Sequence, residues 1–430
     1  MASDTPPFRV GRRSLRYRGY GGGFNIVKRD ISLPSGNLIN SIIGSRRAGK
    51  TFLMLLYKNS IDLPESNKVF INGEDIDFEG LKVGDLDEIE KSIFAIYSPD
   101  RSREIYLFID EVQNFPSWGR WLRTLSDERL YKIVVSGSTS DLSTDKLPNE
   151  LRGRAINTLV LPFSFREYCS VKKISYAKRM RMDDAGSLVS AFKEYLEYGG
   201  YPLAVEAATP ELKMLILREL YETVLQRDLI EKYRIRKSAV LKSFINSVLG
   251  SACRAVSPSA MSEWFGSQGI MLSEQTALNY FNYAQSIFLL FFLYPYSRKP
   301  KQRNTRPRLY LPDSGLLSLT STDISKKLEN QVFAELTRRG KHISYFDSGN
   351  SEVDFVVSEG KKIEELIQVS YSVRDPETYA RETKSLIDTS GAVGCRRLTI
   401  LTFNEEKQLK IGRETIRIIP AWKWMLFEDV

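Results

Sequence analysis

Apolar side chains recur along this chain in two spacings. Short runs rich in β-branched residues, at 38–43, 68–72, 105–109 and 133–135, read as buried strands. Between them lie stretches of helical spacing, among them residues 86–97 and the amphipathic 118–125, whose Trp118 and Trp121 read as core anchors. This alternation from Phe24 to Phe165 predicts a parallel sheet covered by helices. Residues 166–236 read as helices, with helical spacing clearest at 192–198 and 212–225. Residues 259–265 and 273–288 predict two further helices, followed by a strand-rich stretch to Tyr310. From Lys326 the order becomes helix (329–339), strand, turn, strand (352–357) and strand (366–371). The chain's 430 residues leave room for two to four domains of α/β type.

The chemistry of the first block sits at its strand ends. Gly44-Ser45-Arg46-Arg47-Ala48-Gly49-Lys50-Thr51 is a complete Gly-x-x-x-x-Gly-Lys-[Ser/Thr] loop, and it lies between a strand and the helix formers 52–57. Backbone N–H groups of such a loop cradle the phosphates of a nucleoside triphosphate, Lys50 reaches the β and γ phosphates, and the Thr51 hydroxyl ligates Mg²⁺. Farther along, the apolar run 105–109 ends in Asp110-Glu111. In a nucleotide site Asp110 would hold Mg²⁺, directly or through water, and Glu111 would orient and deprotonate the attacking water. The strand 133–135 ends in Ser136-Gly137-Ser138-Thr139-Ser140. A hydroxyl there can lie between the loop and the acid pair, which makes Ser136 the candidate sensor of bound nucleotide; an ordinary serine-rich turn is the competing reading.

The net charge of +9 favours an acidic partner, and nucleic acid ranks ahead of membrane because there is no long apolar span. Cys169, Cys253, Cys395 and the single histidine, His342, show neither zinc spacing nor a disulfide framework, so a reducing, cytoplasmic setting is expected. The N-terminus lacks the apolar core of a signal peptide. It forms instead a basic arm over residues 1–23, in which Arg9, Arg12, Arg13, Arg16 and Arg18 accompany Tyr17 and Tyr20. Such an arm could hold phosphates and stack on bases, or be a solvated terminus.

An ordered series of strings resembles the archaeal and bacterial AAA-like ATPases, related to the signalling STAND-type NTPases, that carry a nuclease-like C-terminal domain. These are 44–51, Phe108-Ile109-Asp110-Glu111-Val112-Gln113, Ser136-Gly137-Ser138, Leu151-Arg152-Gly153-Arg154 and 161–168, with Tyr198-Gly199-Gly200-Tyr201-Pro202 as the Gly-x-Pro element. The resemblance makes Arg154 a candidate for stabilising the triphosphate, in cis or across a subunit boundary; a structural salt bridge competes with that role. It also points, with the helix, helix and hairpin order, to a winged helix. Its hairpin carries Arg298, Lys299, Lys301, Arg303, Arg306 and Arg308, a basic wing suited to the DNA backbone, or a solvated charged face.

The last block looks like a PD-(D/E)XK nuclease core. That chemistry needs a metal-binding acid, a second acid or amide, and a lysine two residues on. Matching residue by residue gives Glu329, Asp354 and Gln368, with Ser370 where lysine belongs. Lys361 or Lys362 would have to swing in to replace it. The missing lysine implies a degenerate nuclease fold without cleavage.

The expected layout is therefore a basic arm (1–23), a P-loop ATPase core (24–165), a helical lid (166–236), a winged helix (237–318) and a PD-(D/E)XK-like domain (319–430). The expected activity is Mg²⁺-dependent ATP hydrolysis coupled to DNA, in a chain able to form a homo-oligomer. The alternatives are a STAND-like switch without DNA, and an active ATP-dependent nuclease.

Overall fold

The computed structural model describes residues 27–138, 151, 153–177, 182–297 and 306–427. The basic arm and the wing residues Arg298, Lys299, Lys301 and Arg303 lie outside the described residues. The chain divides into two units, one comprising the residues up to Val160 together with Ser286–Phe288, the other comprising the rest.

The first unit is built on five strands, β1 (Ile39–Ile43), β2 (Lys68–Asn72), β3 (Ile105–Asp110), β4 (Tyr131–Gly137) and β5 (Ala155–Leu159), in the order β2-β3-β4-β1-β5. All neighbours are parallel. Parallel strands need cover on both faces, which is why β1 is buried at every position and β3 at all but Tyr106. Helices α1 (Lys50–Ser60), α2 (Leu86–Tyr97) and α3 (Trp118–Asp127) connect the strands. The packing of α1 against the sheet joins Leu53 and Met54 to Ile42, Phe70, Phe108 and Val134 in one core cluster. In α3 the buried residues include Trp121, Leu122 and Leu125, whereas Trp118 is only half-buried. Because β1 and β2 follow each other in sequence but lie three places apart, a crevice opens at the carboxyl ends of the strands, where α/β sheets bind ligands.

In the second unit, helices α4 (Phe165–Val171), α5 (Met182–Tyr198), α6 (Pro202–Glu206) and α7 (Pro210–Thr223) come first, and α7 runs on into a π-helical segment, Val224–Glu231. Three helices, α8 (Ser238–Gly250), α9 (Pro258–Ser267) and α10 (Glu274–Ser286), precede the antiparallel pair β6 (Phe291–Leu293) and β7 (Arg308–Tyr310). After the short α11 (Ser314–Leu317) and the long α12 (Ile324–Arg338), a mixed six-stranded sheet follows. Its strands are β8 (His342–Asp347), β9 (Glu352–Glu359), β10 (Lys362–Val369), β11 (Leu398–Thr402), β12 (Lys407–Ile411) and β13 (Glu414–Pro420), in the order β12-β13-β11-β10-β9-β8. Helix α13 (Pro376–Val393) joins β10 to β11, as a parallel crossover requires, and buries Leu386 among Leu366, Leu398, Ile400, Ile416 and Ile418. A last short helix, α14 (Ala421–Leu426), follows β13.

The Gly199-Gly200 pair has a structural task. Gly199 adopts φ 71°, and a Cβ on it would collide with the Asp313 carboxylate; a Cβ on Gly200 would collide with the Phe163 carbonyl. Buried Asp313 accepts hydrogen bonds from Gly200 N (2.9 Å), Gly315 N (2.9 Å) and Gln331 Nε2 (3.0 Å). The Gly-x-Pro string therefore marks a junction inside the second unit.

Candidate active site

The phosphate loop leaves β1 at Gly44, whose φ of 147° and contact with the Val160 carbonyl admit no side chain. Gly49, at φ 98°, turns the chain into α1, so the first N–H groups of that helix point into the crevice. Ser45 and Ala48 are buried within the loop, Arg46 is half-buried, and Arg47 is exposed at φ 60°. Lys50 is buried and folds back on the loop, donating from Nζ to the Gly44 and Ser45 carbonyls at 3.1 Å each. The neighbouring Thr51 Oγ1 donates to Asp110 Oδ2 at 2.7 Å. These two residues, far apart in sequence, thus meet beside the loop, and they are the side chains that would hold Mg²⁺, Asp110 directly or through water.

Strand β4 lies between β1 and β3, and its Ser136 bridges the acid pair. Ser136 Oγ donates to Asp110 Oδ1 and accepts from Glu111 N at 3.2 Å. Burial pushes the Asp110 carboxyl upward, against the lowering effect of the Ser136 and Thr51 hydrogen bonds and of Lys50. Glu111 stands at φ 50°, an uncommon backbone for a residue with a side chain, and its carboxylate accepts from Gln113 Nε2 and from Ser138 N at 3.2 Å. The glutamate is therefore held by two donors at the strand ends.

Several of these contacts have no counterpart in the sequence-based candidates. Gln113 holds Glu111 with its side-chain amide and Ser138 with its backbone N–H; both lie within the motif strings, but only the Gln113 amide carried a side-chain signal. Gly73 packs against the acid pair, where a Cβ would meet the Glu111 and Asp110 carbonyls, and its N–H donates to Asp110 O at 2.8 Å. Buried Arg29 donates to the Ala48 carbonyl at 2.9 Å, bracing the loop from a stretch that carries no motif.

Arg154 is not at the phosphate end. It immediately precedes β5, whose first residue pairs with Ile39, whereas the loop begins after Ile43 at the other end of β1. The strand separates them by about 16 Å, at roughly 3.3 Å per residue. Arg154 instead pairs with Asp127 at 3.4 Å. This corrects the expectation of a role toward the same chain's triphosphate and leaves the salt bridge as the observed contact.

In the second unit, the residues that the sequence matches to a nuclease site converge, but around a cation, Arg308, expected to face DNA. Asp354 Oδ1 accepts from Arg308 Nη1 at 3.0 Å, and Oδ2 accepts from Val369 N at 2.9 Å. Glu329 Oε1 accepts from Tyr310 Oη at 2.8 Å and lies 3.8 Å from Arg308 Nη1. Arg308 Nη2 pairs with Glu352, and the guanidinium lies over the Tyr345 ring, 4.6 Å from its centroid. Gln368 Oε1 accepts from Asp354 N at 3.2 Å. Ser370 stays apart, with its N–H on the Leu401 carbonyl and its hydroxyl on the Ser372 carbonyl.

These positions correct the wing assignment. Arg308 is only 4% exposed, so it is not a phosphate-gripping surface residue, whereas Arg306 is exposed. Lys361 and Lys362 cannot serve as the missing lysine, because β10 carries Lys362 six residues, or about 20 Å, from Gln368. A catalytic divalent cation does not fit among these acids: both oxygens of Asp354 already accept protein donors, and Glu329 and Glu352 face the same guanidinium. No group of three or more His, Cys, Asp or Glu side chains arranged to hold a metal ion occurs among the described residues. Burial first, and then the charge of Asp354, pushes the Glu329 carboxyl up to about 8.

Residues 36–169 match the family model described as AAA domain, and residues 189–327 match one described as Domain of unknown function (DUF8612). The chain is 29% identical over 420 residues to an uncharacterized protein of Methanocaldococcus jannaschii, covering 93% of this chain and 91% of that one. An uncharacterized protein of Haemophilus influenzae is 26% identical over 371 residues, covering 84% of this chain and 89% of that one. Among solved structures, the Walker-type ATPase PABY2304 of Pyrococcus abyssi is similar over 66% of this chain and 90% of that one, with a TM-score of 0.40 and 15% identity. No helix among the described residues is long and apolar enough to cross a membrane. A phosphate loop and an acid pair meet at the carboxyl ends of a parallel sheet within residues 36–169, the same residues that match the AAA domain model, which supports an AAA-like P-loop ATPase.

Proposed function

We propose that this protein is a Mg²⁺-dependent ATPase whose first unit hydrolyses ATP and whose second unit couples turnover to DNA. The observation that carries the reading is the 2.7 Å approach of Thr51 to Asp110, with Glu111 next in sequence and Ser136 bridging the acids. Lys50 and the loop N–H groups bind the phosphates, Thr51 and Asp110 hold Mg²⁺, Glu111 acts as base, and Ser136 senses the γ-phosphate. Arg154 acts on ATP only if a second copy presents it. The three helices and the β6/β7 pair are read as a winged helix, with Arg298, Lys299, Lys301, Arg303 and Arg306 as its DNA contacts. Residues 319–430 are read as a PD-(D/E)XK-like fold that no longer cuts.

A second reading, a signalling switch that turns ATP into altered protein contacts, is favoured by the exposed Trp264, Met271 and Leu278 on α9, the following turn and α10. ATPase rates with and without single-stranded, double-stranded and branched DNA separate the two. Stimulation by DNA supports the main reading, and rates indifferent to every form favour the switch.

A further inference from the structure

We infer that Arg308 is a resident cation standing where the nuclease fold would place a metal ion, so that its acids form a closed ion-pair junction that takes up no divalent metal. The inference rests on the reading of residues 319–430 as nuclease-like. A divalent cation needs free carboxylate oxygens at roughly 2.0 to 2.6 Å. Here Asp354 spends one oxygen on the guanidinium and the other on the Val369 N–H, and Glu329 and Glu352 meet the same guanidinium. The planar fork suits this arrangement, with Nη1 turned to Asp354 and Glu329 and Nη2 to Glu352, a spread of donors that a point charge cannot offer.

The surroundings fix the guanidinium in place. Its side chain is 5% exposed, the Tyr345 ring lies against it, and β7 is held to β6 through the pairing of Arg308 with Leu293. The Tyr345 hydroxyl also donates to the Arg306 carbonyl at 2.7 Å, tying down the backbone that enters β7. Charge follows the same logic. The guanidinium brings one positive charge where a divalent ion brings two, and Gln368 brings no charge where the motif also admits an acid.

Mn²⁺ binding to the full chain without nucleotide, followed by the electron paramagnetic resonance signal of free Mn²⁺, tests this. The wild-type chain is expected to bind no Mn²⁺ that Asp354→Asn removes, and to cut no DNA with Mg²⁺ or Mn²⁺. Arg308→Met is expected to gain one Mn²⁺ per chain, lost again in Arg308→Met/Asp354→Asn, and to melt higher with Mn²⁺ present, as any ligand of the native state requires. Wild-type binding that Asp354→Asn abolishes would overturn the resident cation while leaving the nuclease-like reading standing. A folded Arg308→Met that binds no Mn²⁺ would instead show that these acids are not a metal site, and the nuclease-like reading would fall with it. The wild-type titration decides the first point even if Arg308→Met does not fold.

Discussion

Replacing Glu111 with glutamine tests the division of labour in the nucleotide site. The change keeps size and shape but removes the group that takes a proton from water. Both donors to the carboxylate, Gln113 Nε2 and Ser138 N, address the same oxygen, Oε2, and a glutamine oxygen in that place can still accept from both. The structural cost is therefore the difference between a charge-assisted and a neutral hydrogen bond, about 1 kcal/mol. The φ of 50° at this position is no harder for glutamine than for glutamate. Phosphate binding rests on Lys50 and the loop, with Thr51 and Asp110 for the metal, and none of these loses a hydrogen bond to the Glu111 side chain. General-base catalysis contributes about 10²- to 10⁴-fold, or roughly 3 to 5 kcal/mol of barrier. Glu111→Gln should thus lower kcat for phosphate release by two to four orders of magnitude, with ATP affinity and melting temperature close to wild type. Turnover within about threefold of wild type, a barrier change well under 1 kcal/mol, would remove Glu111 as the base.

Ser136→Ala should destabilise the first unit by about 1 to 3 kcal/mol, because it leaves buried Asp110 short of a donor, and should lower kcat more than ATP affinity; denaturant unfolding and ATPase kinetics read the two effects. Arg154→Ala should leave the ATPase rate of dilute, monomeric protein unchanged, and a loss confined to concentrations at which the chain self-associates would reveal a role across subunits. Replacing Arg298, Lys299, Lys301 and Arg303 with alanine should weaken DNA binding and flatten its log–log salt dependence by about 0.9 for each phosphate no longer neutralised; an unchanged slope in the folded variant removes the wing from the DNA site. Glu329 is raised to about 8, so the native state keeps a proton that the unfolded chain releases near pH 4, and stability falls as pH rises through that window. Glu329→Gln, which mimics the protonated acid, should lessen that fall by an amount on the order of a few kcal/mol, measured by urea unfolding across the window.

The nucleotide site was legible in the sequence because its parts are local. A loop, a strand ending in two acids and a polar strand end each announce themselves, and the sheet needs only to set β4 between β1 and β3 for Ser136 to meet Asp110. The helix at Leu86–Tyr97 and the strand Lys68–Asn72 were equally plain, being complete periodic segments. Arg154 was misplaced because a motif gives no position along a strand, and only the pairing of Ala155 with Ile39 puts it at the far end. Arg308 was misread for a different reason. Within a run of basic residues it looks like one more solvated charge, and its partner Asp354 is distant in sequence, so nothing short of the folded chain distinguishes it from Arg306. Arg29 had no signal at all.

The hydrogen bonds of Asp313 have a consequence for how this chain can be cut and inherited. One carboxylate gathers donors from Gly200, Gly315 and Gln331, which fall in what the sequence suggests are three separate domains. A fragment ending at residue 318 would keep the carboxylate and lose the Gln331 amide together with all of α12. A fragment beginning at residue 237 would lose the glycine that the carboxylate faces. Either would strand a buried charge, so the helical segment, the three helices and the C-terminal sheet should express, evolve and recombine as one block. The main segment of the first unit ends at Val160, so a gene fusion or a natural shuffling event that breaks the chain there would keep that block whole, together with Ser286–Phe288, which count with the first unit.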